Sequence, residues 1–255
     1  FLGKSFMSKN LVILGATSEI GMEVNKLFAQ EGCNFILVGR SEESLKTHKE
    51  VLKHRGANKV ISYFLDFADE NDEEKLFNLF EEKLEGSIDI IFLNYAVLGR
   101  QEEEEVNLSF AMKNFYINFI SAFKWAFAAG NYFKDKDGRF IYLNSVAAER
   151  GRRGNFFYGA SKSGMKTIME GFANKFAYSN TFFINIKLGI IKTRMSSEVK
   201  GISSFLAYDP IKTARKIFLI TKLNKPRSSY YLPYFWKYIM LIIKLLPEKI
   251  LFNIN

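Results

Sequence analysis

Six short apolar runs, most of them followed by a stretch with helical spacing, fill the first three-quarters of the chain. They are "LVILG" (11–15), "NFILVG" (34–39), "KVISYFL" (59–65), "IDIIFLN" (88–94), "GRFIYLNS" (138–145) and "FFINIKL" (182–188). A strand with one wet face alternates apolar and polar residues. Near-continuous apolar runs instead belong to strands buried on both faces of a parallel sheet. The intervening segments fit that arrangement. "EIGMEVNKLFAQEG" spaces Ile20, Val24, Leu27 and Phe28 along one helical face, and a charged helix is expected from Glu42 to about Arg55. "NDEEKLFNLFEEKL" (71–84) carries its acids in the first turn, where the helix dipole favours them. A long helical stretch is expected from about Glu102 to Phe133, and another over 158–179. Strand–helix alternation of this kind predicts an α/β fold. The expectation is one doubly wound parallel sheet with helices on both faces and ligands bound at the carboxyl ends of the strands.

At 255 residues the chain is the size of one such domain. The expected division is an N-terminal extension or cloning remnant over 1–9, the doubly wound domain over 10–232, and an amphipathic tail over 233–255. One cysteine, Cys33, excludes an internal disulfide and fits a reducing compartment. One cysteine and two histidines leave no zinc spacing, so no metal site is expected.

Two segments carry chemistry. The first apolar run enters "GATSEIG", Gly15 to Gly21, and then a helix. Glycine at a strand end permits a tight turn that aims backbone N–H groups and the helix N-terminus at a pyrophosphate. The place of the usual middle glycine is held by Glu19. The second segment is "LNSVAAERGRRGNFFYGASK": Ser145 ends a strand, and Tyr158 and Lys162 lie four apart on one helical face. A phenol with a pKa of about 10 is a poor acid or base at neutral pH. A nearby ammonium is expected to lower it, and a strand-end serine can hydrogen-bond the same substrate oxygen.

Over about residues 10 to 195 the sequence resembles the short-chain dehydrogenase/reductase family, which implies a Rossmann-type sheet and a nicotinamide dinucleotide. The resemblance makes Asn118, Ser145, Tyr158 and Lys162 the catalytic set, with Asn118 supporting a proton-relay water. It places the cofactor on Gly15, Thr17, Ser18, Glu19, Ile20 and Gly21, on Arg40, on Asp66 and Phe67, on Asn94 and Ala96 of "NYA", and on Ile191 and Thr193 of "KLGIIKT", together with Tyr158 and Lys162. The chain departs from the family pattern at Glu19, Val97 and Leu188. Within the family, "GATSEIG", "AVLG" and "SVAAERGRRGNFFYGASKSG" look most like the reductase half of the decaprenylphosphoryl-ribose 2′-epimerase system, which reduces a decaprenylphosphoryl-2-keto-pentofuranose. That likeness implies a lipid-linked keto-sugar of envelope glycan synthesis as substrate and an oxidase as partner. A 3-oxoacyl thioester reductase, a steroid/retinol-type dehydrogenase and a non-catalytic dinucleotide sensor remain as alternatives.

The end of the second strand, "VGRSEE", offers Arg40 and Ser41 and no acid. A basic residue accommodates a 2′-phosphate, so NADP(H) is favoured over NAD(H). "ERGRRG" falls between Ser145 and Tyr158, and Arg150, Arg152 and Arg153 become candidates for a substrate phosphate, or simply a solvated loop. From Lys200 onward ten basic residues face only Asp209 and Glu248. They are interleaved with apolar runs such as "YYLPYFWKYIMLIIKLL" (230–246), too short and too charged for a bilayer span of ~20 residues. The expectation is a helix lying in an anionic membrane surface through residues 230–249, with Lys237 and Lys244 reaching headgroups, or else a helix packed on the core or in an oligomer. The composite expectation is a cytoplasmic enzyme, peripheral on the inner face of the plasma membrane, a homodimer or homotetramer, with no nucleic-acid partner.

Overall fold

The computed structural model describes residues 8–197 and 207–251. Lys200 of the basic block, most of the N-terminal extension and the last residues of the tail lie outside them. Seven parallel strands form a single sheet in the order β3-β2-β1-β4-β5-β6-β7. They are β1 (Asn10–Leu14), β2 (Asn34–Gly39), β3 (Lys59–Phe64), β4 (Ile90–Leu93), β5 (Gly138–Ser145), β6 (Thr181–Leu188) and β7 (Ser229–Leu232). The order reverses beside β1, so a crevice opens above the ends of β1 and β4.

The central strands follow from their sequence. Every residue of β1 and β4 is buried, which a continuous apolar run requires. One face of the sheet is covered by α1 (Glu19–Ala29), α2 (Glu42–His54) and α9 (Pro210–Thr221), packed on Leu11, Ile13, Phe35 and Leu37. The other is covered by α3 (Glu73–Leu84), α6 (Ala122–Tyr132) and α7 (Phe156–Lys175), packed on Val12, Leu14, Ile91 and Phe140 around Trp125. Caps set the starts: Asp72 accepts from Lys75 N at 3.1 Å at α3, and Asp209 accepts from Lys212 N at 2.7 Å before Pro210 of α9.

The expected long helix over 102–133 is in fact broken. A short α4 (Gln101–Glu104) ends before Asn107, whose side chain accepts from Phe110 N at 3.0 Å and starts α5 (Leu108–Phe115) afresh. The six residues Tyr116–Ser121 then form a π-helical turn before α6. Helical periodicity showed neither break, because a capping asparagine inside an apolar pattern costs little of that pattern. Neither α9 nor β7 is marked by a long apolar run of the kind that locates the central strands. β7 is a short edge strand whose only sheet neighbour among the described residues is β6.

The tail does not stand apart from the domain. After α8 (Arg194–Ser197) and the α9–β7 unit, α10 (Trp236–Leu245) and α11 (Glu248–Leu251) follow the sheet. Trp236 and Met240 of α10 are buried against Val146, just beyond the end of β5. The division expected at residue 232 therefore runs through packed side chains.

Candidate active site

A cleft of about 820 Å³ lies over the carboxyl ends of the strands. Its lining includes most of the residues picked from sequence: Gly15, Thr17, Ser18, Glu19, Ile20, Arg40, Asp66, Phe67, Asn94, Ala96, Ser145, Arg152, Tyr158, Lys162, Ile191 and Thr193. Gly21, Asn118, Arg150 and Arg153 do not line it.

The β1–α1 turn is shaped by two glycines for two reasons. Gly15 has φ +89°, where an L side chain is strained, and a Cβ there would meet Tyr95 N at 2.7 Å. Gly21 lies within α1, and a Cβ there would fall 2.0 Å from the Asn94 amide. Gly21 therefore serves helix–strand packing. Asn94, turned to satisfy its amide, donates to Gly15 O and to Leu14 O at 2.9 Å, tying the turn to β4. Ser18 caps α1 without a side-chain hydrogen bond. The first N–H groups of the helix, which have no partner within it, are thus not satisfied by that cap. Together the strained turn, the cleft and these donors fit the pyrophosphate of a dinucleotide. Glu19 is no obstacle, since its Oε1 accepts from Arg194 N at 3.0 Å and pairs with the Arg194 side chain.

Farther along the crevice, Arg40 ends β2 as an exposed residue, beside Ser41, which caps α2 by accepting from Ser44 N. Asp66 Oδ1 accepts from Ala68 N at 3.0 Å, and Phe67 stacks on Tyr95 at 3.8 Å. Thr193 N donates to Ser196 Oγ at 3.1 Å at the opposite wall.

The chemical centre lies where β5 meets α7. Ser145 Oγ accepts from Ala147 N at 3.1 Å. Burial pushes the Tyr158 phenol up to about 12, with the neighbouring Ser145 hydroxyl pulling the other way. This reverses the expected lowering. Lys162 is itself only 1% exposed, and burial pulls its ammonium down to about 7, which weakens the charge that was expected to act on the phenol. Its Nζ lies 5.7 Å from the Tyr158 ring centre. A phenol near 12 remains protonated at neutral pH, which is the form a proton donor requires.

Sequence reasoning missed Tyr142. This fully buried side chain of β5 accepts a hydrogen bond from Lys162 Nζ at 2.8 Å, and Leu143 O takes a second at 3.3 Å. The available signal was a hydroxyl-bearing side chain within an apolar strand, three residues before Ser145. Asn118 sits in the π-helical turn and its amide is committed to one residue: Oδ1 accepts from Val97 N at 2.8 Å and Nδ2 donates to Val97 O at 2.7 Å. It fixes the loop after β4 beside the cleft.

Two of the three loop arginines, Arg150 and Arg153, do not line the cleft. Arg150 Nη1 donates to Ile243 O at 2.7 Å, Lys244 O at 2.9 Å and Leu246 O at 2.8 Å, closing the last turn of α10. Arg153 is exposed outside the cleft lining. Lys244, expected to reach lipid headgroups, is paired with the fully buried carboxylate of Glu149. Lys187 lies 2.6 Å from the same carboxylate, Lys166 3.6 Å, and Tyr231 Oη donates to it at 2.9 Å. Burial alone would raise Glu149, but hydrogen bonds from Lys187 and Lys244 override it and hold the acid down to about 2. No group of His, Cys, Asp and Glu among the described residues could hold a metal.

A parallel sheet with a glycine turn at its switch point, and a Ser–Tyr–Lys cluster at the end of β5, define a dinucleotide-dependent class of protein. The profile of the short chain dehydrogenase family matches residues 9–201, and the chain belongs to that family. An uncharacterized oxidoreductase of Listeria monocytogenes is 28% identical over 170 residues, covering 64% of this chain and 65% of its own. The chain thus spans just under two thirds of that relative. A 3-oxoacyl-[acyl-carrier-protein] reductase of Buchnera aphidicola is 26% identical over 236 residues, covering 87% and 92%. Among solved structures, an actinorhodin polyketide ketoreductase variant with NADPH shares the fold at TM-score 0.76 and 19% identity, covering 89% and 96%.

Proposed function

We propose that this protein reduces a ketone to a secondary alcohol with NADP(H). The observation that carries the reading is that Ser145, Tyr158 and a buried Lys162 line one cleft together with the glycine turn at the end of β1. When bound, the nicotinamide dinucleotide supplies the hydride. Tyr158, protonated and fully within the site, gives its hydroxyl proton to the carbonyl oxygen. Ser145 donates a hydrogen bond to the same oxygen and polarises it. Lys162, held by Tyr142 and Leu143 O, places a positive charge near the phenol as the proton leaves, and Asn118 keeps the neighbouring loop in place. Arg40, exposed at the end of β2 with no hydrogen bond or ion pair among the described residues, supports NADP(H) over NAD(H).

The preferred substrate is a lipid-linked keto-sugar of envelope glycan synthesis, with a partner oxidase supplying the ketone. It rests on the segment resemblance and on the outward face of α10. Tyr234, Phe235, Tyr238, Leu241, Ile242 and Leu245 are exposed there, with Lys237 beside Tyr234. No helix among the described residues is long and apolar enough to cross a membrane. A helix lying in the interface of an anionic membrane suits such a face, and gives a peripheral protein on the inner side of the plasma membrane. The row Phe115, Phe119, Phe123 and Phe127 along α5–α6, ending in an exposed Phe127, supports a homodimer or homotetramer. A second reading, reduction of 3-oxoacyl thioesters, is favoured by the near full-length match to the Buchnera reductase.

The test is NADPH oxidation followed spectrophotometrically with a keto-sugar phosphopolyprenol and with an acetoacetyl thioester. Turnover of the first alone supports the preferred substrate, and of the second alone the other reading. Turnover of neither, nor of simple ketones, overturns the ketoreductase reading.

A further inference from the structure

Two residues of the cleft lining each carry a buried donor that no protein group accepts from. Trp236 is 4% exposed, and its indole Nε1 has no hydrogen-bond partner. Arg152 Nε is likewise buried without a partner. Both residues line the cleft that holds Tyr158. A buried donor left unpaired is costly, more so when charged, and these two belong to residues of one cleft lining.

Neither residue is there by accident of packing. Trp236 fits against Gly189 only because that residue has no side chain: a Cβ there would lie 2.0 Å from Nε1. The indole also packs on Val146, the residue after Ser145, and so stands beside the chemical centre. The loop that bears Arg152 is the one that grips α10, through Arg150 on the carbonyls of Ile243, Lys244 and Leu246 and through Glu149 on Lys244. Loop and helix are therefore joined, and each gives one residue, Arg152 and Trp236, to the cleft lining.

We propose that Arg152 and Trp236 form an oxyanion subsite at the substrate end of the cleft, so that the substrate carries a phosphate or carboxylate group apart from its ketone. The inference rests on the ketoreductase reading and narrows its substrate class. The guanidinium supplies charge and a directional N–H, and the indole a second N–H in a dry wall, which together suit an anionic oxygen pair. On this account the C-terminal helix is part of the active site, and its outward face is a separate matter.

The experiment uses full-length protein saturated with NADP, which blocks the pyrophosphate cradle. Phenyl phosphate, benzoate and benzyl alcohol are titrated calorimetrically into wild type, Arg152→Met and Trp236→Phe. The expected result is that at least one anion binds wild type at least tenfold more tightly than benzyl alcohol does, and that each substitution removes about tenfold of that affinity, the loss of one charge-assisted hydrogen bond. The tighter of the two anions tells phosphate from carboxylate. Trp236→Phe deletes the N–H but also trims the indole to a smaller ring, so the loss must be specific to the anion: benzyl alcohol affinity unchanged in the same variant separates the N–H from lost packing. Equal binding of anions and alcohol, no binding of any of the three, or affinities unchanged in both variants would overturn the subsite. Failure of the underlying reading shows separately, as absence of NADPH-dependent reduction of any ketone by the same preparation.

Discussion

Replacing Lys162 by methionine should make this protein more stable while silencing it. Lys162 is fully buried, and its ammonium is pulled from an ordinary 10.5 down to about 7 by burial. At about 1.4 kcal/mol per pKa unit, that gap is a destabilisation of roughly 5 kcal/mol wherever both folded and unfolded states are protonated. Methionine nearly conserves the volume and carries no charge, which limits its packing cost to about 1.5 kcal/mol. It leaves Tyr142 Oη and Leu143 O without the Nζ donor, returning about 1–3 kcal/mol. A net gain of about 0.5–2.5 kcal/mol is expected at pH 6. The sign of the pH dependence follows from the depressed pKa. The unfolded chain binds the proton up to 10.5 and the folded one only up to about 7, so wild type gains stability as pH rises through that window. The advantage of Lys162→Met should therefore shrink between pH 7 and 10. Urea unfolding at a series of pH values measures it, with NADPH-dependent reduction assayed in parallel. A variant less stable than wild type at pH 6, or a stability difference that is flat from pH 6 to 10, would refute the argument that Lys162 is a charge held against its solvation.

Tyr158→Phe removes the proton donor and should lower kcat by at least about 100-fold with little change in NADPH affinity; titration of the cofactor by fluorescence separates the two. Tyr142→Phe removes an acceptor from Lys162 Nζ, which disfavours the ammonium further, so the basic limb of the kcat/KM profile should move about one unit toward acid. An unmoved limb would mean that Tyr142 only fills space. Arg40→Asp should shift the NADPH-to-NADH affinity ratio toward NADH, as read by parallel binding titrations. Glu149→Gln strands Lys187 and Lys244 and should cost about 3–5 kcal/mol in urea unfolding. In wild type, the stability Glu149 contributes is complete above pH 4.5 and is lost as pH falls toward about 2, which an acid titration followed by circular dichroism reports.

Much of the frame is written locally in the chain. A strand buried on both faces needs an apolar run, so β2 and β5 could be located to the residue at 34–39 and 138–145. Ser145, Tyr158 and Lys162 were equally visible, because a strand end and one face of a helix bring them together whatever lies around them. What surrounds them was decided by long-range packing. The acidity of Tyr158 and Lys162 depends on how much water the assembled domain excludes, and local spacing carries no measure of that; hence the expected lowering of Tyr158 came out reversed. The breaks around Asn107 and the π-helical turn at Asn118 depend on hydrogen bonds, one of them to Val97 on another element, that periodicity does not register. The tail shows the division most clearly. Its sequence fixed an amphipathic, basic helix, and that is what α10 is. Only the folded chain shows that Lys244 meets Glu149, that Arg150 holds the helix end instead of lining the cleft, and that Trp236 is buried against Val146. Those pairings join residues some ninety positions apart, and nothing in the local pattern of charge and hydrophobicity selects one distant partner over solvent.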